Sequence, residues 1–178
     1  MKRSAILFSI LGAMPNACWP QADWTGPNNE LLPDSHSRKS VGGFSATLVA
    51  TKDPEWREKL LTRSATPRII SASTVKNGEV LYVLAFISNP KVGQDEFADV
   101  VCDTKVVRPD GSISVDQKDY SCLKMRMEED PDGIWPIAAG AIYRAEPTDL
   151  RGEWVVTVKI VDRVRGLALP LKLSFVVE

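Results

Sequence analysis

Residues 153–178 read EWVVTVKIVDRVRGLALPLKLSFVVE, and in both halves large apolar residues occupy every second position. These positions are Trp154, Val156, Val158 and Ile160, then Leu167, Leu169, Leu171, Leu173, Phe175 and Val177. Because side chains alternate between the faces of a strand, this period predicts two strands with one shared apolar face. With residues 163–166 as the turn, they form a hairpin that completes a core. Pro170, on the outer face, lacks an N–H for a ladder and indicates a free edge there.

A second hairpin is predicted around Pro109-Asp110-Gly111, between residues 98–108 and 112–117. Proline presets φ and glycine supplies a positive φ, so this tripeptide favours a tight turn. With Asp110 and Gly111 as the turn, Val106 lies opposite Val115.

The cysteines of the chain are Cys18, Cys102 and Cys122. In the predicted hairpin Cys102 lies opposite Asp119, and Cys122 is three residues past this register, which a bulge over residues 117–120 can absorb. Since we expect export, we predict a disulfide between Cys102 and Cys122. Closing a loop of about 20 residues stabilises a fold by roughly 3 kcal/mol. A redox or metal-binding pair, the alternative, lacks the Cys-x-x-Cys spacing.

Further strands are predicted at residues 44–51, 67–73 and 79–88. Asn77-Gly78 is a strong hairpin turn before the last of these. Residues 80–87 are apolar at nearly every position, so this strand should be central and covered on both faces. We therefore expect an all-β fold over residues 44–178, an immunoglobulin-like antiparallel sandwich of about seven to nine strands with one short helix.

The short helix is predicted directly after residues 44–51. Asp53 can cap it, Pro54 suits its first position, and Glu55 and Lys59 form an i, i+4 pair. We expect the face with Trp56 to dock on the sandwich, with a partner-binding patch as the alternative.

The start of the chain is typical of a signal peptide. Met1-Lys2-Arg3 is cationic and residues 4–14 are almost entirely apolar, which is about half the length of a membrane-spanning helix. We expect a signal peptide over residues 1–17, with cleavage between residues 13 and 22, and a periplasmic or secreted bacterial protein. Cleavage after Ala17 would make Cys18 the first residue and a site for a lipid anchor.

Residues 18–43 are rich in Pro, Asn, Asp, Ser and Gly and show no apolar period. This composition predicts a flexible N-terminal segment. His36, the single histidine of the chain, lies here without a recognisable set of metal ligands around it. We expect it to be solvated.

The residues that support a family resemblance are ADVVC at 98–102, RPDGS at 108–112, Cys122, GEWVV at 152–156, LPLK at 169–172 and FVV at 175–177. With these residues the chain resembles a group of small exported bacterial proteins with immunoglobulin-like sandwiches, over residues 44–178. The resemblance implies the fold. Its motifs specify turns and core rather than chemistry, so no functional residue follows from it.

Charge argues against a nucleic acid partner. The formal net charge is −1, and it becomes −3 when Lys2 and Arg3 leave with the signal peptide. Nucleic acid binding would require a basic surface. We also expect no cofactor, no metal and no membrane-spanning segment. The acidic residues 128–132 lack the ligand spacing of a calcium loop, so a solvated turn is favoured.

We expect a non-enzymatic protein-binding module, either an accessory subunit or an inhibitor or immunity protein, whose partner is another protein of the envelope. Residues 89–96 and 124–135 are the predicted binding loops, since sandwiches bind through loops and edge strands. The predicted contact residues are Met125, Met127, Glu128, Glu129, Asp130 and Trp135. In the alternative interpretation both methionines and the tryptophan pack inward. An exported hydrolase that uses acidic residues and a structural envelope protein are the other functions considered.

Overall fold

The computed structural model describes Trp24, Glu30 and residues 32–61, 69–127 and 133–178. In this part of the chain the strands are β1 (Arg38–Val41), β2 (Phe44–Thr51), β3 (Thr74–Val75), β4 (Val80–Ser88), β5 (Phe97–Val107), β6 (Ile113–Arg126), β7 (Ile134–Arg144), β8 (Gly152–Asp162) and β9 (Leu167–Val177). Helix α1 spans Trp56–Leu61. The predicted signal peptide, its cleavage region and Cys18 lie outside the described residues.

The strands form two sheets. One has the order β1-β2-β4-β7 and the other the order β3-β9-β8-β5-β6. Neighbouring strands are antiparallel except β3, which runs parallel to β9. The expected all-β sandwich with one short helix is confirmed.

The core lies between the inner faces of the two sheets. In the C-terminal hairpin Val158 pairs with Leu171 and Ile160 with Leu169, so the predicted alternation is confirmed residue by residue. These side chains join Phe44 and other buried residues of the four-stranded sheet in one cluster. Each fully buried side chain of this size contributes about 1.5–3 kcal/mol.

Strand β4 lies between β2 and β7, as expected for its apolar sequence. Leu84 and Phe86, on its outer face, are only 7% and 4% exposed, so the strand is covered on both faces.

The predicted strand at residues 67–73 is wrong over the described residues 69–73. This segment instead crosses between the sheets: the Ala72 N–H donates to Ala50 of β2, and the Ser73 carbonyl accepts from Val176 of β9. A crossing segment cannot pair along its length with either sheet, so Ile70 is left 74% exposed. The strand in this part of the chain is β3, which begins directly after the crossing segment and is two residues long.

The hairpin of β5 and β6 contains the predicted disulfide between Cys102 and Cys122, whose Cα atoms are 5.9 Å apart. Val106 pairs with Val115 as expected, but Cys102 lies opposite Tyr120 rather than Asp119. The predicted register is therefore one residue off at Cys102.

The cause is a bulge at Asp119, which has a φ of 46°. Its N–H donates to the Asp103 carboxylate over 2.8 Å. The extra residue moves Cys122 toward Cys102, as the predicted bulge required.

The predicted flexible segment, residues 18–43, contains a strand. Residues 38–41 form β1, which pairs with β2 through the turn at Gly42 and Gly43. Both glycines have positive φ, so they allow a tight reversal that the polar composition did not indicate.

A buried carboxylate connects the loops at one end of the sandwich. Asp162 is fully buried and accepts the backbone N–H groups of Lys91 over 2.7 Å and of Arg165 over 2.8 Å. The Arg165 guanidinium donates to the carbonyl oxygens of Gly42 and Asn89. Three loops are thereby held together.

Candidate functional site

The structure places the residues of the predicted contact site in different environments. Met125 pairs with buried Ala98, Met127 is 8% exposed, and Trp135 is half-buried against the core. The positions of Met127 and Trp135 agree with the alternative interpretation, in which these side chains pack inward, while Met125 is partly exposed. Glu128, Glu129 and Asp130 lie outside the described residues, so their role stays a prediction.

The two predicted binding loops are adjacent in space. Glu96, at the end of residues 89–96, forms an ion pair with Arg126 at the end of β6. The Met127 N–H also donates to the Glu96 carbonyl oxygen over 3.0 Å. The structure therefore brings the first loop to the start of the second.

The outer face of β7 is apolar and exposed. Its outward positions are Ile134, Pro136, Ala138, Gly140, Ile142 and Arg144. Ile142 is 69% exposed and Ile134 is 47% exposed. No charge occurs along this strand before Arg144, so water contacts an uncharged strip ten residues long.

Beside this strip lies a groove of about 270 Å³ between α1 and β7, which we call the apolar groove. Its floor contains Leu84 and Phe86 of β4, one wall contains Ile142, and the opposite wall contains Trp56. Among the described residues that line it, Arg57 is the only charged one. Such a groove suits an apolar side chain, with a basic group at its rim.

Helix α1 positions Trp56 because its N-terminus is capped as predicted. The Asp53 carboxylate accepts the Glu55 N–H over 3.0 Å and a hydrogen bond from Lys59 over 2.5 Å. The Lys59 hydrogen bond lowers the pKa of Asp53 and so favours the charged form of the cap. The Trp56 ring then packs at 6.4 Å from that of Tyr82 on β4.

Gly140 shapes the floor of the apolar groove. Val83 pairs with Ala141 but Ala85 pairs with Ile137, so residues 138–140 of β7 lie opposite Leu84 alone. A Cβ on Gly140 would overlap the carbonyl oxygen of Val83. A glycine is therefore required where the two backbones approach, and it leaves the groove open above them.

Strand β7 is also the last strand of its sheet, and in the described part of the chain no strand pairs with its other edge. Proteins protect such edges with charges, proline or bulges. Pro136, the bulge and the terminal Arg144 protect only part of this edge, since the strand carries no charge from residue 134 to residue 143.

Sequence reasoning did not identify β7 as a strand. Ala138, Ala139, Gly140 and Ala141 have low strand preference, and both faces of the strand are apolar, so polarity does not alternate. The available indication was the uncharged run from residue 134 to 143 after an acidic turn.

The described residues contain no group of three or more His, Cys, Asp or Glu side chains placed to hold a metal ion. They also contain no helix of the length and apolarity that a membrane crossing requires.

No protein-family model matches the chain, and no curated protein matches it. Among solved structures it is similar to the alkylpurine DNA glycosylase AlkC of Pseudomonas fluorescens bound to DNA containing an abasic site analog. That match has a TM-score of 0.35 and 15% identity, and covers 60% of this chain and 28% of the other. A family 123 glycoside hydrolase from Clostridium perfringens gives a TM-score of 0.40 and 8% identity, over 75% and 27%. The chain thus spans little more than a quarter of either protein, and neither likeness bears on function.

Proposed function

We propose that this protein is a non-enzymatic binding module that holds an extended segment of another protein along the edge of β7. The observation that supports the proposal is the combination of a free strand edge with the apolar groove on the adjoining face. In this recognition mode the backbone of the added strand supplies hydrogen bonds, and pockets for alternate side chains supply specificity.

The groove would receive an apolar side chain of the added strand. Ile142 is 69% exposed, so covering it removes most of an isoleucine from water, which contributes about 1–2 kcal/mol. Arg57 at the rim favours a segment with an acidic residue next to the apolar one.

The compartment we propose is the bacterial periplasm or the cell exterior. The disulfide between Cys102 and Cys122 supports it, because such bonds persist in oxidising compartments. There the module would act as an accessory subunit or as an inhibitor of another envelope protein.

The test compares two exposed isoleucines on different sheets. Ile142 borders the apolar groove, while Ile113 on β6 is 51% exposed and lies in the other sheet. Envelope proteins retained by the immobilised wild type should be lost with Ile142→Asp and kept with Ile113→Asp. Ile142→Thr, which keeps a β-branched side chain, should bind weakly while unfolding at the wild-type temperature.

Equal retention by all variants, or equal loss with both aspartates, would contradict the proposal. Thermal unfolding of each variant is the control, because it shows whether a loss of binding results from a loss of the fold.

A further inference from the structure

The outer face of the five-stranded sheet differs in chemistry from the apolar groove. It carries a shallow groove of about 380 Å³, which we call the lysine groove. The basic residues that line it are His36, Lys39, Lys105, Lys118, Lys159 and Lys172. The concentration of cations is unexpected in a chain whose formal net charge is −1.

Strand register explains why the lysines converge. Lys172 of β9 and Lys105 of β5 both pair with Thr157 of β8, so they lie on one line across the sheet. In the next line Lys159 lies between Pro170 and Asp103. Because neighbouring strands are about 4.8 Å apart, the Cα atoms of Lys172 and Lys105 lie roughly 10 Å from each other.

The edge of β9 brings two further basic residues to the groove. The segment before β1 follows this edge, where the Lys172 N–H donates to the His36 carbonyl oxygen over 2.7 Å. No strand of the described chain pairs with Pro170 on that side, as its missing N–H predicted. His36 and Lys39 therefore extend the groove beyond the sheet.

Several of these lysines form no ion pair within the described part of the chain. Lys118 pairs with Asp116 at 3.2 Å, and Lys159 lies 4.0 Å from Asp103. Among the described residues, no ion pair involves Lys39, Lys105 or Lys172. Asp116 lies opposite Lys105 in the β5–β6 hairpin, so the charges with the least compensation are those of Lys39 and Lys172, and they make the groove attractive to an anion.

We propose that the lysine groove binds an acidic, extended segment of a polypeptide. The carboxylate of Asp103 lies among the lysines and would repel a chain with a negative charge on every unit, but it can accept an N–H from a peptide backbone. None of the described residues lining the groove is Phe, Tyr or Trp, so it offers no stacking surface for a base. A groove also fits a chain better than the flat surface of a membrane.

This inference does not depend on the proposed function. The two grooves lie on the outer faces of different sheets, so binding at one can be lost while binding at the other is kept.

The experiment titrates the intact, oxidised protein with a fluorescently labelled eight-residue peptide in which glutamate and serine alternate, and follows anisotropy at low ionic strength. The test variant combines Lys105→Gln with Lys172→Gln. The control combines Lys76→Gln with Lys91→Gln, which changes the net charge equally away from the groove. The test variant should bind about ten-fold more weakly, and the control within about two-fold of the wild type.

Equal weakening in both variants would overturn the proposal, since the peptide would then respond to net charge alone. Tighter binding of a sulfated polysaccharide, of single-stranded DNA or of phosphatidylglycerol vesicles than of the peptide would also overturn it. Both variants should unfold at the wild-type temperature.

Discussion

Asparagine has nearly the same size as aspartate, but replacing Asp162 by asparagine should destabilise the fold strongly. One carboxylate oxygen accepts the Arg165 N–H and the other the Lys91 N–H. The second oxygen also lies 3.5 Å from the Nε of Arg165, and the Asp162 side chain is fully buried. An amide keeps the shape, removes the charge and turns an NH₂ group toward one of the two donors.

The magnitude follows from these contacts. A hydrogen bond to a charged group contributes about 1.5–3 kcal/mol, and removing one partner of a buried ion pair costs about 3–5 kcal/mol. Because the two effects act on the same groups they do not add, so we expect a loss of about 3–5 kcal/mol in the free energy of unfolding.

Urea unfolding of the oxidised protein, followed by tryptophan fluorescence, measures this loss. Arg163→Ala is the matched control: Arg163 pairs with Asp119 at 2.8 Å, but the two side chains are 48% and 72% exposed. The control should cost less than about 1 kcal/mol. A loss below about 1 kcal/mol for Asp162→Asn, or equal losses for both variants, would refute the role of buried Asp162 in holding the three loops together.

Three further predictions concern stability. Replacing Cys102 and Cys122 by serine should lower the unfolding free energy by roughly 3 kcal/mol in urea without reductant; an unchanged midpoint would argue against the bond. Gly140→Ala should cost about 1–3 kcal/mol by thermal unfolding, since its Cβ meets a carbonyl oxygen of β4, and a wild-type value would contradict the close approach. Burial, together with the nearby Asp149 carboxylate, raises the pKa of Tyr143. The unfolded chain therefore loses this proton first, and stability should fall above about pH 10, less steeply in Tyr143→Phe; equal slopes would contradict it.

The elements predicted correctly from the sequence are those whose pattern is local. In β8 and β9 large side chains alternate on one face, and Gly166 ends the turn with a φ of 73°. The cap of α1 could also be predicted from the sequence, because Asp53 and Lys59 are close along the chain.

The elements that were missed depend on contacts distant in sequence. A bulge was predicted within residues 117–120, but its position at Asp119 depends on the carboxylate of Asp103 from the neighbouring strand. The crossing at residues 69–73 requires partners in both sheets.

The candidate site was harder to predict than the fold. The apolar groove exists because Gly140 lets β7 approach Val83 and because α1 places Trp56 beside the sheet. The spacing of apolar residues in the sequence, every two residues in a strand or every 3.6 in a helix, predicts neither of these contacts. The lysine groove likewise results from register, since its lysines come from five different strands.

Photo-crosslinking in living cells tests the proposed binding edge most directly. A photoreactive amino acid is placed at Ile142 in one strain and at Ile113 in another, and envelope fractions are probed after irradiation. If a partner binds along β7, position 142 gives a discrete higher-mass adduct and position 113 gives none of that mass. The same adduct from both positions, or an adduct from position 113 alone, would contradict binding along β7.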